Sequence, residues 1–229
     1  MLAGLLIVLL TLPLLAIFTP TVTQWSLHPI TLVIVIAYLF GLHLVHRTRE
    51  RPMWFPRLTH QTVSDEPEKH HRSDSATVWL GFIGMAVVTG MAGWILMEAA
   101  KGIADQTGLS DSLVGGLLTA LATSTPELVT TIAAIRIGAL TLAVSNIFGT
   151  NCFNMLVVAA ADTAYVQGSI YHDMAPVQMM WGLVSILMTA ILLLGLVRRQ
   201  TYGIGRIGFE SALILGVYAI AIGIVVVST

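Results

Sequence analysis

From Ala76 to Met97 no charged side chain appears, and the same holds from Gly138 to Ala161 and from Ala175 to Val197. Each run approaches or exceeds the roughly 20 apolar residues that a helix needs to cross the hydrocarbon of a bilayer. No water is present there to satisfy backbone N–H and C=O groups, so the spanning segment must satisfy them internally. This constrains the chain to a polytopic, all-α membrane helix bundle. Composition agrees, with 56% hydrophobic and only 10% charged residues, against about 25% charged in a soluble domain. The single cysteine, Cys152, rules out an intramolecular disulfide.

About seven spans are expected, near 2–19, 28–46, 76–98, 113–135, 138–161, 175–197 and 207–227. The first has neither a basic leading region nor a small-residue cleavage site, so it reads as a span rather than a signal peptide. Pro13 should kink it. Between the second and third spans lies the one sizeable polar stretch, 47–75, with Pro52, Pro56 and Pro67, and with Trp54 and Phe55 placed as an interfacial anchor. The organisation is therefore 1–46 (two spans), 47–75 (cytoplasmic loop) and 76–229 (five spans).

Seven spans put ten of the eleven Lys and Arg residues on one side and Lys101 alone on the other. Basic residues mark the cytoplasmic side. The N-terminus is then cytoplasmic and the C-terminus external. Loops 98–112 and 162–174 face outward with Glu98, Asp105, Asp111, Asp162 and Asp173.

Within this apolar chain, Ala120 to Asn154 carries groups that lipid cannot satisfy. Thr123 and Ser124 stand four and three residues before Glu127, so the three share one helical face. Pro126 offers no N–H to the carbonyl of Ala122 and opens that turn. Carboxylate, hydroxyl and freed carbonyl oxygens together suit a hard cation such as Na⁺ or Ca²⁺. The alternative is a kinked helix whose hydroxyls bond back to their own carbonyls, with Glu127 near an interface. A mid-span carboxylate costs about 2.5 kcal/mol or more, which favours a functional reason for it. The next span holds Ser145, Asn146, Gly149, Thr150, Asn151 and Asn154. Asn146, Thr150 and Asn154 follow at steps of four. Gly149 permits close backbone approach and weakens the helix, as a discontinuous transport helix requires. Amide glue between helices is the competing explanation. Cys152 reads as a packing residue.

These residues carry a resemblance. Ala122-Thr123-Ser124-Thr125-Pro126-Glu127, followed by Ser145-Asn146-Ile147-Phe148-Gly149-Thr150-Asn151-Cys152-Phe153-Asn154, resembles the α-repeat of the cation/calcium exchanger superfamily. That repeat reads G-T-S-x-P-E and then G-N-x-x-G-S-N-x-x-N/D. The likeness covers about 90–162, including Gly93 to Lys101, Gly108-Leu109-Ser110 and Gly115 before the motif and Asp162 after it. It implies that Glu127 is the central Ca²⁺ and Na⁺ ligand. Thr123 and Ser124 would add hydroxyl and carbonyl oxygens, Ala120 a carbonyl, and Thr150 and Asn154 the rest of this repeat's share. Pro126, Gly149, Asn146 and Asn151 would serve helix breaking and packing. Ala122 and Ser145 replace glycines and Thr150 replaces serine. Asn154 in place of Asp leaves one negative charge fewer, which bears on ion stoichiometry. The G-N-x-x-E pattern of proton/calcium exchangers is absent, which argues against that branch.

The resemblance further implies a ten-helix protein of two inverted five-helix repeats, of which this chain carries the second. Its first two spans correspond to helices four and five and its last five to helices six to ten. Three explanations follow in order of preference: a fragment or truncated product, a chain that pairs with another bearing the first repeat, or an antiparallel homodimer, which the charge bias opposes. The expected activity is cation antiport in a bacterial inner (plasma) membrane, Ca²⁺ or a related cation exchanged for Na⁺ or H⁺. A truncated or remnant non-transporting membrane subunit is the alternative. One carboxylate against a divalent ion predicts weak or no Ca²⁺ binding by the isolated chain. The expected partners are lipid, inorganic cations and a first-repeat chain. No cofactor, nucleic acid or enzymatic activity is expected, since the sequence holds no nucleophile–base pair, phosphate loop or nucleotide fingerprint. Asp65 to His71 reads as a solvated loop, His172 and Asp173 as an outer polar loop, and Glu210 as interfacial.

Overall fold

The computed structural model of the chain describes residues 1–20, 28–50, 75–108, 114, 119–198 and 208–228. Among them are seven α-helices and no strand: α1 (Leu2–Ala16), α2 (Pro29–Glu50), α3 (Ser75–Thr107), α4 (Ala120–Arg136), α5 (Leu140–Ala164), α6 (Pro176–Arg198) and α7 (Phe209–Ser228). Every expected span contains one helix. Five of the seven are long and apolar enough to cross a membrane. The other two, α1 and α4, have 15 and 17 residues, and each contains a proline. Of the expected loop 47–75, residues 47–50 instead continue α2; its prolines, the Trp54–Phe55 anchor and the Asp65–His71 segment, together with Leu109, Ser110, Asp111 and Gly115, lie outside the described residues.

The largest boundary shift is in α3. It does not stop near Glu98 but continues through Lys101 and Asp105 to Thr107. Hydropathy ends there before helix propensity does. Glu98, Ala99, Ala100 and Lys101 are good helix formers, and Lys101 Nζ lies 3.1 Å from Glu98 Oε1 in an exposed i, i+3 pair. Gly108 ends the helix: it takes φ 68°, and its N–H donates to the Ala104 carbonyl at 2.9 Å, an αL cap. Helix α4 closes similarly. Gly138 has φ 80°, with its N–H on the Ile135 carbonyl at 3.0 Å and the Ala139 N–H on the Ala134 carbonyl at 2.9 Å. That pair of bonds is a Schellman motif. It satisfies carbonyls that a helix end otherwise leaves without a donor, and it lets α5 begin at Leu140.

The chain divides into two compact units. The first holds α1, α2 and the residues from Val144 to Ser228. Within it α1 packs on α2 and on α6, and α6 packs on α7. Its core joins Ala3, Leu6, Leu9 and Ala16 of α1 to Ile30 and Ile34 of α2, to Phe148, Cys152 and Ala159 of α5, and to Tyr171. Each helix contact has one glycine beneath a partner side chain. Leu5 lies over Gly41, Leu14 over Gly182 at 3.2 Å from where a Cβ would stand, and Glu210 over Gly195 at 2.5 Å. Lipid tails are as apolar as leucine, so close van der Waals approach over small residues does the work that the hydrophobic effect does in water.

The second unit holds α3, α4 and the start of α5, to Ala143. Helix α3 is exposed along almost its whole length, with Trp79, Leu80, Phe82 and Met85 uncovered and only Ala104 buried. In water such a surface would be an association or aggregation site. In a bilayer it is an ordinary lipid-facing helix.

Candidate ion-binding site

Helix α4 positions the first group of predicted residues. Ala120, Thr123, Ser124 and Glu127 fall at steps of three and four along a continuous helix and form one stripe. Further along, the same stripe contains Thr131 and Ala134, the two buried residues of this helix. Pro126 sits inside the helix without breaking it. It still removes one donor, so the Ala122 carbonyl receives no bond from position 126. Glu127 is half-buried, whereas Ala120, Thr123, Ser124 and Pro126 are exposed.

The hydroxyls bond back into the helix. Thr123 Oγ1 lies 2.9 Å from the Thr119 carbonyl oxygen and 3.1 Å from that of Ala120. Thr125 donates to Leu121 at 2.8 Å. Thr130 Oγ1 is 3.0 Å from the Pro126 oxygen and 3.1 Å from that of Glu127. Back-bonding was the alternative to ion ligation in the sequence, but the two are compatible. A hydroxyl whose proton is committed to a carbonyl keeps its oxygen lone pairs for another partner, and a cation is the partner that needs no proton.

Helix α5 carries the rest. Asn146, Thr150 and Asn154 repeat at steps of four, with Asn154 exposed and Thr150 half-buried. The Thr150 hydroxyl donates to the Asn146 carbonyl, and Asn151 Nδ2 donates to the Ile147 carbonyl at 2.7 Å. The helix is unbroken through Gly149, where a Cβ would meet open space among the described residues. The close approach expected at that glycine is therefore not present in this arrangement. Cys152 is 1% exposed and packs toward α1, with Sγ 3.9 Å from the Leu2 carbonyl, as a packing residue should. The α4 stripe belongs to the second compact unit, and Thr150 and Asn154 to the first. Among the described residues no three His, Cys, Asp or Glu side chains assemble as metal ligands. A cation here would draw on one carboxylate together with neutral oxygens.

The family described as Sodium/calcium exchanger protein matches residues 77–227, which include the whole of the Pro126–Glu127 and Asn146–Asn154 pattern. The chain belongs to this family. Among curated relatives of this exchanger-family chain, "Putative antiporter CaxA" of Alkalimonas amylolytica is 38% identical over 132 residues, 58% of this chain and 40% of that protein. "Inner membrane protein YrbG" of Escherichia coli (strain K12) is 36% identical over 97 residues, 42% of this chain and 29% of that protein. The matched region thus covers well under half of each relative. No solved structure matches the chain.

Asp162 is a residue whose partners the sequence did not reveal. The family resemblance had it closing the second motif helix, and it does lie in the last turn of α5, but instead of facing outward with the 162–174 loop it is 0% exposed. Its partners are His28, Thr31, Ser169 and Ile170. The signal available was a lone carboxylate next to an alanine run; the residues that bury it are up to 134 positions away.

Proposed function

We propose that the chain supplies one of two ion-binding repeats of a cation antiporter, which exchanges Ca²⁺ or a related cation for Na⁺ or H⁺. The observation that carries this is the α4 stripe. A single carboxylate, Glu127, stands with Ala120, Thr123 and Ser124 in an apolar helix of an exchanger-family chain, with the Thr123 proton turned inward onto carbonyl oxygens. Glu127 would supply charge, Thr123 and Ser124 hydroxyl and carbonyl oxygens, and Ala120 a carbonyl. Thr150 and Asn154 of α5 would be the further ligands, supported by the order and spacing of the two motifs. Pro126 would keep the Ala122 carbonyl available, while Asn146, Asn151 and Gly149 shape α5. In this reading residues 76–229 form the five-helix exchanger domain and 1–46 the end of a preceding half, in a bacterial inner membrane with the N-terminus cytoplasmic.

A divalent cation usually takes six to eight oxygens and more than one carboxylate. The proposed site therefore includes a second repeat, supplied by another segment or chain. The test is cation flux into vesicles holding this chain together with a first-repeat segment, comparing wild type with Glu127→Gln. Flux should fall at least a hundredfold in the variant, with insertion and amount unchanged. Equal flux in both would sink the assignment of Glu127. No flux from any combination would instead favour a non-transporting membrane subunit.

A further inference from the structure

Asp162 fastens three separate pieces of the first unit. Its Oδ2 accepts the Thr31 hydroxyl at 2.5 Å and the His28 backbone N–H at 3.2 Å, both from the start of α2. Its Oδ1 accepts the Ser169 hydroxyl at 2.9 Å and the Ile170 N–H at 3.0 Å, both from the connection between α5 and α6. Tyr171 Oη lies 3.0 Å from Thr31 Oγ1. The Thr31 proton is already on Asp162, so the tyrosine is the donor. Asp162, His28, Thr31, Ser169 and Tyr171 are all buried.

The protonation state of His28 follows from its neighbours. This residue directly precedes Pro29, the first residue of α2, and its Nδ1 lies 3.2 Å from the Ile30 N–H, which it accepts in the manner of an N-cap. Thr19 gives its hydroxyl proton to the Ala16 carbonyl at 2.6 Å, so its oxygen accepts from His28 Nε2–H at 3.1 Å. The imidazole is therefore neutral, with its proton on Nε2. The His172 ring stands 5.3 Å away, its Nε2 on the Thr19 carbonyl at 2.9 Å. A second proton on His28 would abolish the Ile30 bond. It would also place positive charge at the positive end of a helix, in a site 1% exposed to water and beside another imidazole.

The groups facing that ring can be counted. The turn after α1 offers Thr19, α5 offers Asp162, and the α5–α6 connection offers Tyr171 and His172. Residues 21–27 contain no titratable side chain. Tyr165 and Asp173 are bonded to each other at 2.7 Å in an exposed pair. Burial pushes the Tyr171 hydroxyl up to about 12, so it stays protonated. Burial first and His172 second hold His28 below its usual 6.5, with the Asp162 carboxylate pulling the other way.

We propose that this cluster is a proton-sensitive latch: Asp162 ties the C-terminal end of α5 to the start of α2 and to Ser169–Ile170, neutral His28 caps α2 at that junction, and protonation of His28 releases it. In the released form His28 meets water and regains its ordinary affinity for a proton. The stability of the latch is therefore fully present above about pH 6.5, falls as pH drops through that value, and reaches its floor below the lower value of the held state. Its consequence for transport, freer movement of the helix that bears Thr150 and Asn154, rests on the function proposed above; the latch itself does not.

Hydrogen–deuterium exchange of the full chain in lipid nanodiscs tests it, corrected for the intrinsic pH dependence of exchange. Protection of the segment 165–175 should fall severalfold, up to about tenfold, between pH 7.5 and 5.5. His28→Asn keeps an N-cap acceptor for Ile30 and does not titrate, so its protection should not change across that range. Glu127→Gln should keep the full response even where it abolishes flux, which separates failure of the latch from failure of the ion site. A wild-type chain with no response, or an equal response in His28→Asn, would overturn the proposal. So would a response that disappears in His172→Asn while persisting in His28→Asn.

Discussion

At the scale of single residues, the chain contains two carboxylates in opposite circumstances. Glu127 stands on a stripe of neutral oxygens, whereas Asp162 is surrounded by four donors that leave it no capacity for an ion. The first is the carboxylate of the proposed ion site, and the second is a structural tie. Replacing Asp162 with alanine strands three buried donors and one part-buried one, each worth about 1–3 kcal/mol when left without an acceptor and not additive. Thermal unfolding in detergent should show a loss of about 3 kcal/mol or more for Asp162→Ala, with Asp162→Asn in between because one carbonyl oxygen remains. The Glu127 stripe was legible in the sequence because its members lie within one turn or two of each other, and helical spacing alone places them together. The Asp162 cluster was not legible, because His28 and Thr31 reach it across more than 130 positions and no local period encodes that meeting.

At the scale of helices, apolar length predicted seven elements and their order, since bilayer thickness sets a length that a run of side chains must match. It did not predict where α3 ends. Charge was read there as the start of a loop, while Glu98 and Lys101 pair on the helix surface and Gly108 supplies the actual stop. Packing inside the first unit depends on glycines that the sequence presents only as scattered small residues. Gly195 is the clearest, because an added Cβ would stand 2.5 Å from Glu210 Cγ and 2.6 Å from its Cβ, atoms near the α7 backbone that cannot swing aside. Gly195→Leu should therefore destabilise the α6–α7 pair by about 1–3 kcal/mol, the usual cost of overpacking. Gly216→Leu, where a Cβ would meet nothing within 4 Å, is the control and should leave the melting temperature unchanged.

For the whole molecule, the balance of charge and ligands sets the expectation. One carboxylate and a handful of neutral oxygens make a poor divalent site on their own, so calorimetry on the isolated chain should detect no Ca²⁺ binding below about millimolar, the range of the weakest protein Ca²⁺ sites. Sub-micromolar binding by this chain alone would contradict the two-repeat proposal. The exposed length of α3 fits a molecule whose solvent is lipid, since Trp79, Leu80 and Phe82 need no protein cover there. The family likeness and the helix count were both accessible from the sequence. The division into two compact units was not, because the change from one unit to the other falls within α5, between Ala143 and Val144, where hydropathy is continuous.

The extension of α3 to Thr107 bears on which membranes suit the protein. Its 33 residues measure about 50 Å, against about 30 Å for the 20 residues of α7. The hydrocarbon layer is itself about 30 Å thick. Only Ala76 to Met97 of α3 is free of charge, about 33 Å, so its last turns extend beyond the hydrocarbon, whereas α7 has nothing beyond what a layer of that thickness needs. Hydrophobic mismatch would thus fall on the C-terminal helix, and through Glu210 on Gly195 it would be passed to α6.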